Sequence, residues 1–191
     1  QLEHITGLAL EDLSRRHEAR EKGIRVGRQV IRLSANAIRA VHRQEFQEAQ
    51  RLLDQASVLL TQAKEILDAF PNIYYAGYLA DARKEYCEGR ITLALISSGT
   101  LPLPEELDVE IAAYLNGMGE AVGEMRRYIL DSLKSNKVQQ CEAPLEIMDE
   151  IYTLLVSMDF PEALTGGLRR TTDMVRGVLE RTRGDLTMAL R

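Results

Sequence analysis

The sequence predicts an all-α protein, an antiparallel bundle of six or seven helices formed by residues 1–191 as a single domain. Three observations carry that expectation. Apolar residues recur at three- and four-residue spacing along most of the 191-residue chain, and no run alternates with period two for long enough to make a strand. Aromatic residues make up only 5 %, with no Trp, and there are only five prolines, a composition poor in strand formers. Apolar residues at 45 % and charged residues at 28 % suit a globular chain that buries a core without disulfides.

The first helix is expected from about Leu8 to His42, weakened near Gly23 and Gly27. Val26, Val30, Leu33, Ala37 and Val41 form its core stripe, which Ile24, Ile31 and Ile38 widen. The second runs from about Glu45 to Phe70, with Leu52, Ala56, Leu59, Leu60, Ala63 and Leu67 inward, and Pro71-Asn72 breaks it. The third covers about Ile73 to Ser97. Tyr74, Tyr75 and Tyr78 anchor its start, with base stacking the alternative use for one of them. Residues 98–104 interrupt the pattern. A fourth helix opens near Asp108 as N-cap, with Glu110 in its first turn, and reaches about Ser135. The fifth spans about Pro144 to Ser157, and the last follows Gly166-Gly167 and ends near Leu190. There is no internal repeat or low-complexity tract.

No apolar stretch reaches the roughly 18 residues of a membrane span, and no basic-then-apolar leader opens the chain. A cytoplasmic protein is the expectation, with Cys87 and Cys141 as free thiols. The formal net charge of −5 by itself speaks against a general nucleic-acid binder. Its distribution does not. Residues 15–43 hold nine basic and two acidic residues, so this segment is +7 and the remainder −12. On a helix, Arg25, Arg28, Arg32, Arg39 and Arg43 fall within an arc of about 60°, opposite the core stripe. An unmixed ridge of like charge repels itself and calls for a polyanion. Two partners fit: acidic helices of a neighbouring subunit, or a nucleic-acid backbone.

Acidic pairs stand at helical spacing on two helices. Glu85 and Glu88 are three apart, with Asp81 one turn earlier, and Glu120 and Glu124 are four apart among Gly117, Gly119 and Gly123. Same-face acids cost stability unless a cation joins them, and carboxylate oxygens suit Mg²⁺ or Mn²⁺. The alternative is a wet acidic surface with no ligand. A ferritin-like di-iron site needs Glu-x-x-His on two helices, and the three histidines His4, His17 and His42 lack the preceding Glu. A phosphate loop, His-Glu-x-x-His and Cys-x-x-Cys are all missing from the sequence. A second metal reading uses Glu85, Glu88, Glu105 and Asp108 in the manner of an all-α nucleoside-triphosphate pyrophosphohydrolase, although Glu105 and Asp108 directly follow Pro102-Leu103-Pro104.

Several segments resemble the translin family. Phe70-Pro71-Asn72-Ile73-Tyr74-Tyr75 is similar to the start of that family's central helix. Leu107-Asp108-Val109-Glu110 and Tyr114-Leu115-Asn116-Gly117 resemble its next segment, with Glu120 and Glu124 at the family spacing and Gly167-Leu168-Arg169-Arg170 opening the last helix. The resemblance covers nearly the whole chain. Glu85-x-x-Glu88 makes it similar to the catalytic branch, translin-associated factor X, and Glu120 stands where that branch has Asp. The short connection at residues 98–107 suggests a prokaryotic or archaeal version. The resemblance implies an Mg²⁺- or Mn²⁺-dependent endoribonuclease acting on single-stranded or short duplex RNA within a homo-octameric shell. Glu85, Glu88, Glu120 and Glu124 would hold the metal and Arg25, Arg28, Arg32, Arg39 and Arg43 the phosphates. Translin itself binds RNA and single-stranded DNA without a full acidic set, so a non-catalytic scaffold is the alternative.

Overall fold

The computed structural model describes residues 1–97 and 99–190 and is helical almost throughout. Among the described residues there are six long α-helices: α1 (Leu2–His42), α2 (Phe46–Ile66), α4 (Gly77–Ile96), α6 (Ile111–Lys134), α7 (Glu142–Val156) and α9 (Leu168–Ala189). Three single-turn helices join them: α3 (Pro71–Tyr74), α5 (Pro104–Leu107) and α8 (Glu162–Thr165). None of the described helices is long and apolar enough to cross a membrane.

Packing runs across the bundle in sequence. α1 lies against α2 and α4, α4 against α6, and α6 against α7 and α9. The core follows the expected stripes in part: Val30, Ala37 and Val41 of α1 and Ala56, Leu60 and Ala63 of α2 are buried, whereas Val26, Leu33, Leu52 and Leu59 are only half-buried and Leu53, not expected inward, is buried. Tyr86 and Ile91 of α4 and Val122, Met125 and Ile129 of α6 complete the core. A smaller cluster of Ala19, Leu67, Ile73, Tyr74 and Leu79 closes the end near α3. Cys87 and Cys141 are free and buried. Burial pushes the Cys87 thiol up to about 12, which leaves it a packing residue.

Three boundaries differ from the sequence expectations. α1 starts at Leu2 and passes through Gly23 and Gly27 without a break. Both glycines are buried against α4: a Cβ on Gly27 would lie 3.2 Å from the Tyr78 carbonyl oxygen, so they serve helix contact. The stretch after the second helix splits into α3 and α4, because Phe70 and Ala76 leave helical geometry on either side of the Pro71 turn. Asp108 is not the cap of α6. Pro104 starts the separate turn α5, Asp108 ends it with φ 51°, and Glu110 takes the N-cap position of α6 without a side-chain capping bond. The interruption at 98–104 begins at Ser98, which lies outside the described residues.

The closest approach of one helix to another's backbone at a glycine is between α4 and α6. A Cβ on Gly117 would lie 2.7 Å from the Lys84 carbonyl oxygen, 2.7 Å from Cys87 Cβ and 3.0 Å from the Glu88 amide nitrogen. Two of those atoms are backbone and cannot rotate away. Gly117→Ala is therefore expected to destabilise the protein by about 1–3 kcal/mol, read as a lowered midpoint in urea unfolding with an unchanged slope.

Candidate metal centre and nucleic-acid interface

Because α6 touches α4 at Gly117, the acids on the adjoining turns of both helices come together. Glu85, Glu88 and Glu120 each offer an oxygen within 4.8 Å of the others, and all three are partly buried. Glu85 and Glu88 have no hydrogen-bond or ion-pair partner among the described residues, whereas Lys84 donates to Glu120 at 2.7 Å. Burial, followed by the charges of Glu85, Glu120 and Glu124, pushes Glu88 up to about 8. Glu85 is raised as well, by burial first and then by Glu120. A divalent cation among these three oxygens would relieve the same repulsion that raises these values. The oxygen-only donor set fits Mg²⁺ or Mn²⁺.

Glu124 stands apart from the trio. Its carboxylate meets His42 Nε2 at 2.5 Å, 82 positions away in sequence at the end of α1. The His42 side chain is 4 % exposed, so this contact is an internal tie between α1 and α6. His42 and Lys84 were not singled out from the sequence. Lys84 carries a readable signal, since it precedes Glu88 by four and shares its helix face. His42 carries none, because its partner is fixed only by tertiary packing.

The five arginines are all exposed, four on α1 and Arg43 at its C-cap. Arg39 donates to Asn36 at 2.5 Å and Arg43 pairs with Glu45 at 2.7 Å. Arg25, Arg28 and Arg32 have no acidic partner within 4.0 Å among the described residues. His42 points toward α6, and on the same helix Arg28 and Arg39 lie within about 60° of it and Arg25, Arg32 and Arg43 within about 100°. The ridge thus rises from the edge of the acidic groove and turns outward. Arg32 reaches its far side, in a cleft against Arg51 and Asp54 of α2.

Glu105 and Asp108, the acids of the pyrophosphohydrolase alternative, do not join Glu85 and Glu88. Asp108 is held by Lys64 of α2 at 2.6 Å, and the one three-acid group among the described residues is Glu85, Glu88 and Glu120. The geometry therefore removes that alternative.

No protein-family model matches the chain. It is similar to an uncharacterized protein of Methanocaldococcus jannaschii, 27 % identical over 177 residues that cover 91 % of this chain and 78 % of that one. Among solved structures it is similar to AfC3PO, crystallised alone and also seen in complex with duplex RNA, at 34 % identity and a TM-score of 0.85. That match covers 99 % of this chain and 96 % of AfC3PO in the RNA complex. Apo-NeC3PO has the same fold at a TM-score of 0.85 and 20 % identity, with 97 % of this chain covered and 96 % of that one.

Glu88 binds its proton more tightly folded than unfolded. It stabilises the fold below its ordinary value of 4.5, and that contribution is lost as pH rises through about 8. In EDTA, the melting temperature is expected to fall between pH 5 and pH 9, while Glu88→Gln flattens the fall and melts higher than wild type at pH 9. Each kcal/mol recovered corresponds to roughly 2–4 °C in a scanning melt.

Proposed function

Because the chain belongs to the translin-like C3PO family, we propose that it binds RNA and cleaves it as a divalent-metal-dependent endoribonuclease. The observation that carries this reading is the convergence of Glu85, Glu88 and Glu120 within 4.8 Å in a chain whose first helix also carries an exposed arginine ridge. Glu85, Glu88 and Glu120 hold Mg²⁺ or Mn²⁺. Glu124 is the fourth carboxylate of the set, close enough to raise Glu88 and oriented by His42. When bound, the ion supplies a more acidic water and a counter-charge for the phosphoryl oxygens.

The chain's own groups do the rest. Arg25, Arg28 and Arg32 grip the RNA backbone with guanidinium forks that match phosphate oxygens. Arg39 and Arg43 extend that grip along the same ridge. The local potential of α1 decides the encounter although the whole chain is net acidic. The half-burial of the three glutamates keeps their field weakly screened, so a phosphodiester enters only alongside a cation.

We read the assembly as a homo-octamer. In its support, the N-terminal part of α1 stands clear of the bundle core with Leu2, Ile5, Leu8 and Leu13 more than half exposed, an apolar surface that a further copy would cover. The second reading is a non-catalytic scaffold for RNA or single-stranded DNA, favoured by the Lys84 ammonium that already neutralises Glu120.

Incubating labelled RNA with the protein and Mg²⁺ or Mn²⁺, with an EDTA control, separates the two. Cleavage is expected only with the ion. Glu88→Gln and Glu120→Gln are each expected to lower the rate by at least about 10²-fold while RNA still binds in a filter assay. Undiminished cleavage in both variants would sink the nuclease reading. A triple change of Arg25, Arg28 and Arg32 to Gln is expected to weaken RNA binding and to reduce the slope of log affinity against log salt by about 2.

A further inference from the structure

Next to the carboxylates, beside Lys84, the surface folds into a cavity of about 360 Å³ that the reaction above does not use. It is lined by Tyr75, by Asp81, Arg83 and Lys84 of α4, by Glu110 and Asn116, and by Leu164 of α8, with alanines between them. Tyr75 and Leu164 are exposed apolar groups, at 58 % and 67 %.

The Tyr75 ring is nevertheless fixed. It meets Tyr74 edge-on, with centroids 4.9 Å apart and planes at 85°. The Arg83 guanidinium lies 4.6 Å from the centre of the Tyr74 ring and 5.6 Å from that of Tyr75. Arg83 is itself 2 % exposed, held by Glu110 at 2.7 Å and by the Tyr74 carbonyl oxygen at 3.1 Å. A buried cation thus sits behind an exposed aromatic ring, which is how a stacking platform is built.

The charges in the wall say what stacks there. Both cations are already matched, Arg83 by Glu110 and Lys84 by Glu120, so the cavity offers no free positive group to a phosphate. Asp81 is exposed and has no ion-pair partner among the described residues, leaving an acceptor at the cavity wall. The complementary ligand is flat, aromatic, uncharged and carries an exocyclic amino group. We propose that this cavity holds one unpaired nucleobase of a bound RNA strand, stacked on Tyr75 and donating its amino edge to Asp81. This rests on the RNA-binding reading and adds to it a base subsite beside the carboxylates. A base inside a duplex cannot enter, so the subsite favours single-stranded over paired RNA, and adenine, cytosine or guanine over uracil, which lacks the amino group.

The test is equilibrium binding in EDTA, by fluorescence anisotropy, of a labelled single-stranded RNA and of the same strand in a blunt duplex. Tyr75→Ala is expected to weaken single-strand binding about tenfold, with Tyr75→Phe and all duplex affinities within about twofold of wild type. Leu164→Ser, elsewhere in the lining, should weaken the single strand severalfold without touching the duplex. Wild type should prefer an oligo(A) to an oligo(U) of equal length, and Asp81→Ala should narrow that ratio whatever it does to both affinities. Wild-type affinity of Tyr75→Ala for the single strand, or an equal loss on strand and duplex, overturns the subsite alone, as does an unchanged oligo(A)/oligo(U) ratio in Asp81→Ala. Failure of the wild-type protein to bind either RNA overturns the subsite and the RNA-binding reading together.

Discussion

The close approach of α4 and α6 at Gly117 is the constraint on which the rest of the structure depends. Without a side chain there, the α6 backbone comes to rest against the Lys84 carbonyl and the Glu88 amide. Apolar groups on both helices, including Ile91, Met118, Ala121 and Val122, make that approach favourable by removing surface from water. The same contact brings together acids that would repel one another in solution. Burial of the core therefore holds the like charges in place, and the cost appears as tighter proton binding by Glu85 and Glu88.

The fold answers that cost unevenly. Glu120 receives the Lys84 ammonium and Glu124 receives the His42 ring, while Glu85 and Glu88 receive nothing among the described residues. A carboxylate with a structural role has its oxygens matched by donors, as Glu110 has from Arg83 and Asp54 from Arg90. Two half-buried carboxylates left unmatched beside a third depart from that rule, and such departures gather where a ligand completes the site.

Much of this was legible in the sequence, and the parts that were not share a cause. Periodicity together with the Pro and Gly interruptions placed all six long helices, because in α1 and α2 the buried stripe recurs every three or four residues and the breaks at Pro71, residues 98–104 and Gly166-Gly167 separate the rest. The pairs Glu85/Glu88 and Glu120/Glu124 could be read as same-face acids for the same reason. Spacing could not show which α6 acid closes on α4. Glu120 does, and Glu124, one turn further on, is drawn to His42 by the end of α1, a contact across 82 positions. The N-cap assigned to Asp108 failed for a local reason: Pro104 suits the first position of a helix and starts its own turn, so Asp108 becomes the residue that leaves it. The arginine ridge was readable as a ridge, but its bearing on the acids was not, since a helix carries no mark of what its flank faces until His42 fixes the rotation.

That rotation also explains how one acidic chain presents two opposite fields. α1 has its stripe against α2 and α4, so its arginines must point away from the core, and the +7 segment lies along one edge of the bundle. The unmatched acids lie in the groove between α4 and α6, and His42 spans the two regions. A polyanion drawn to the ridge is repelled by the groove unless a cation occupies it. In the cavity beside Lys84, Arg83 and Lys84 are each already paired, so among the described residues the wall offers no free cation and one unpaired acid, Asp81.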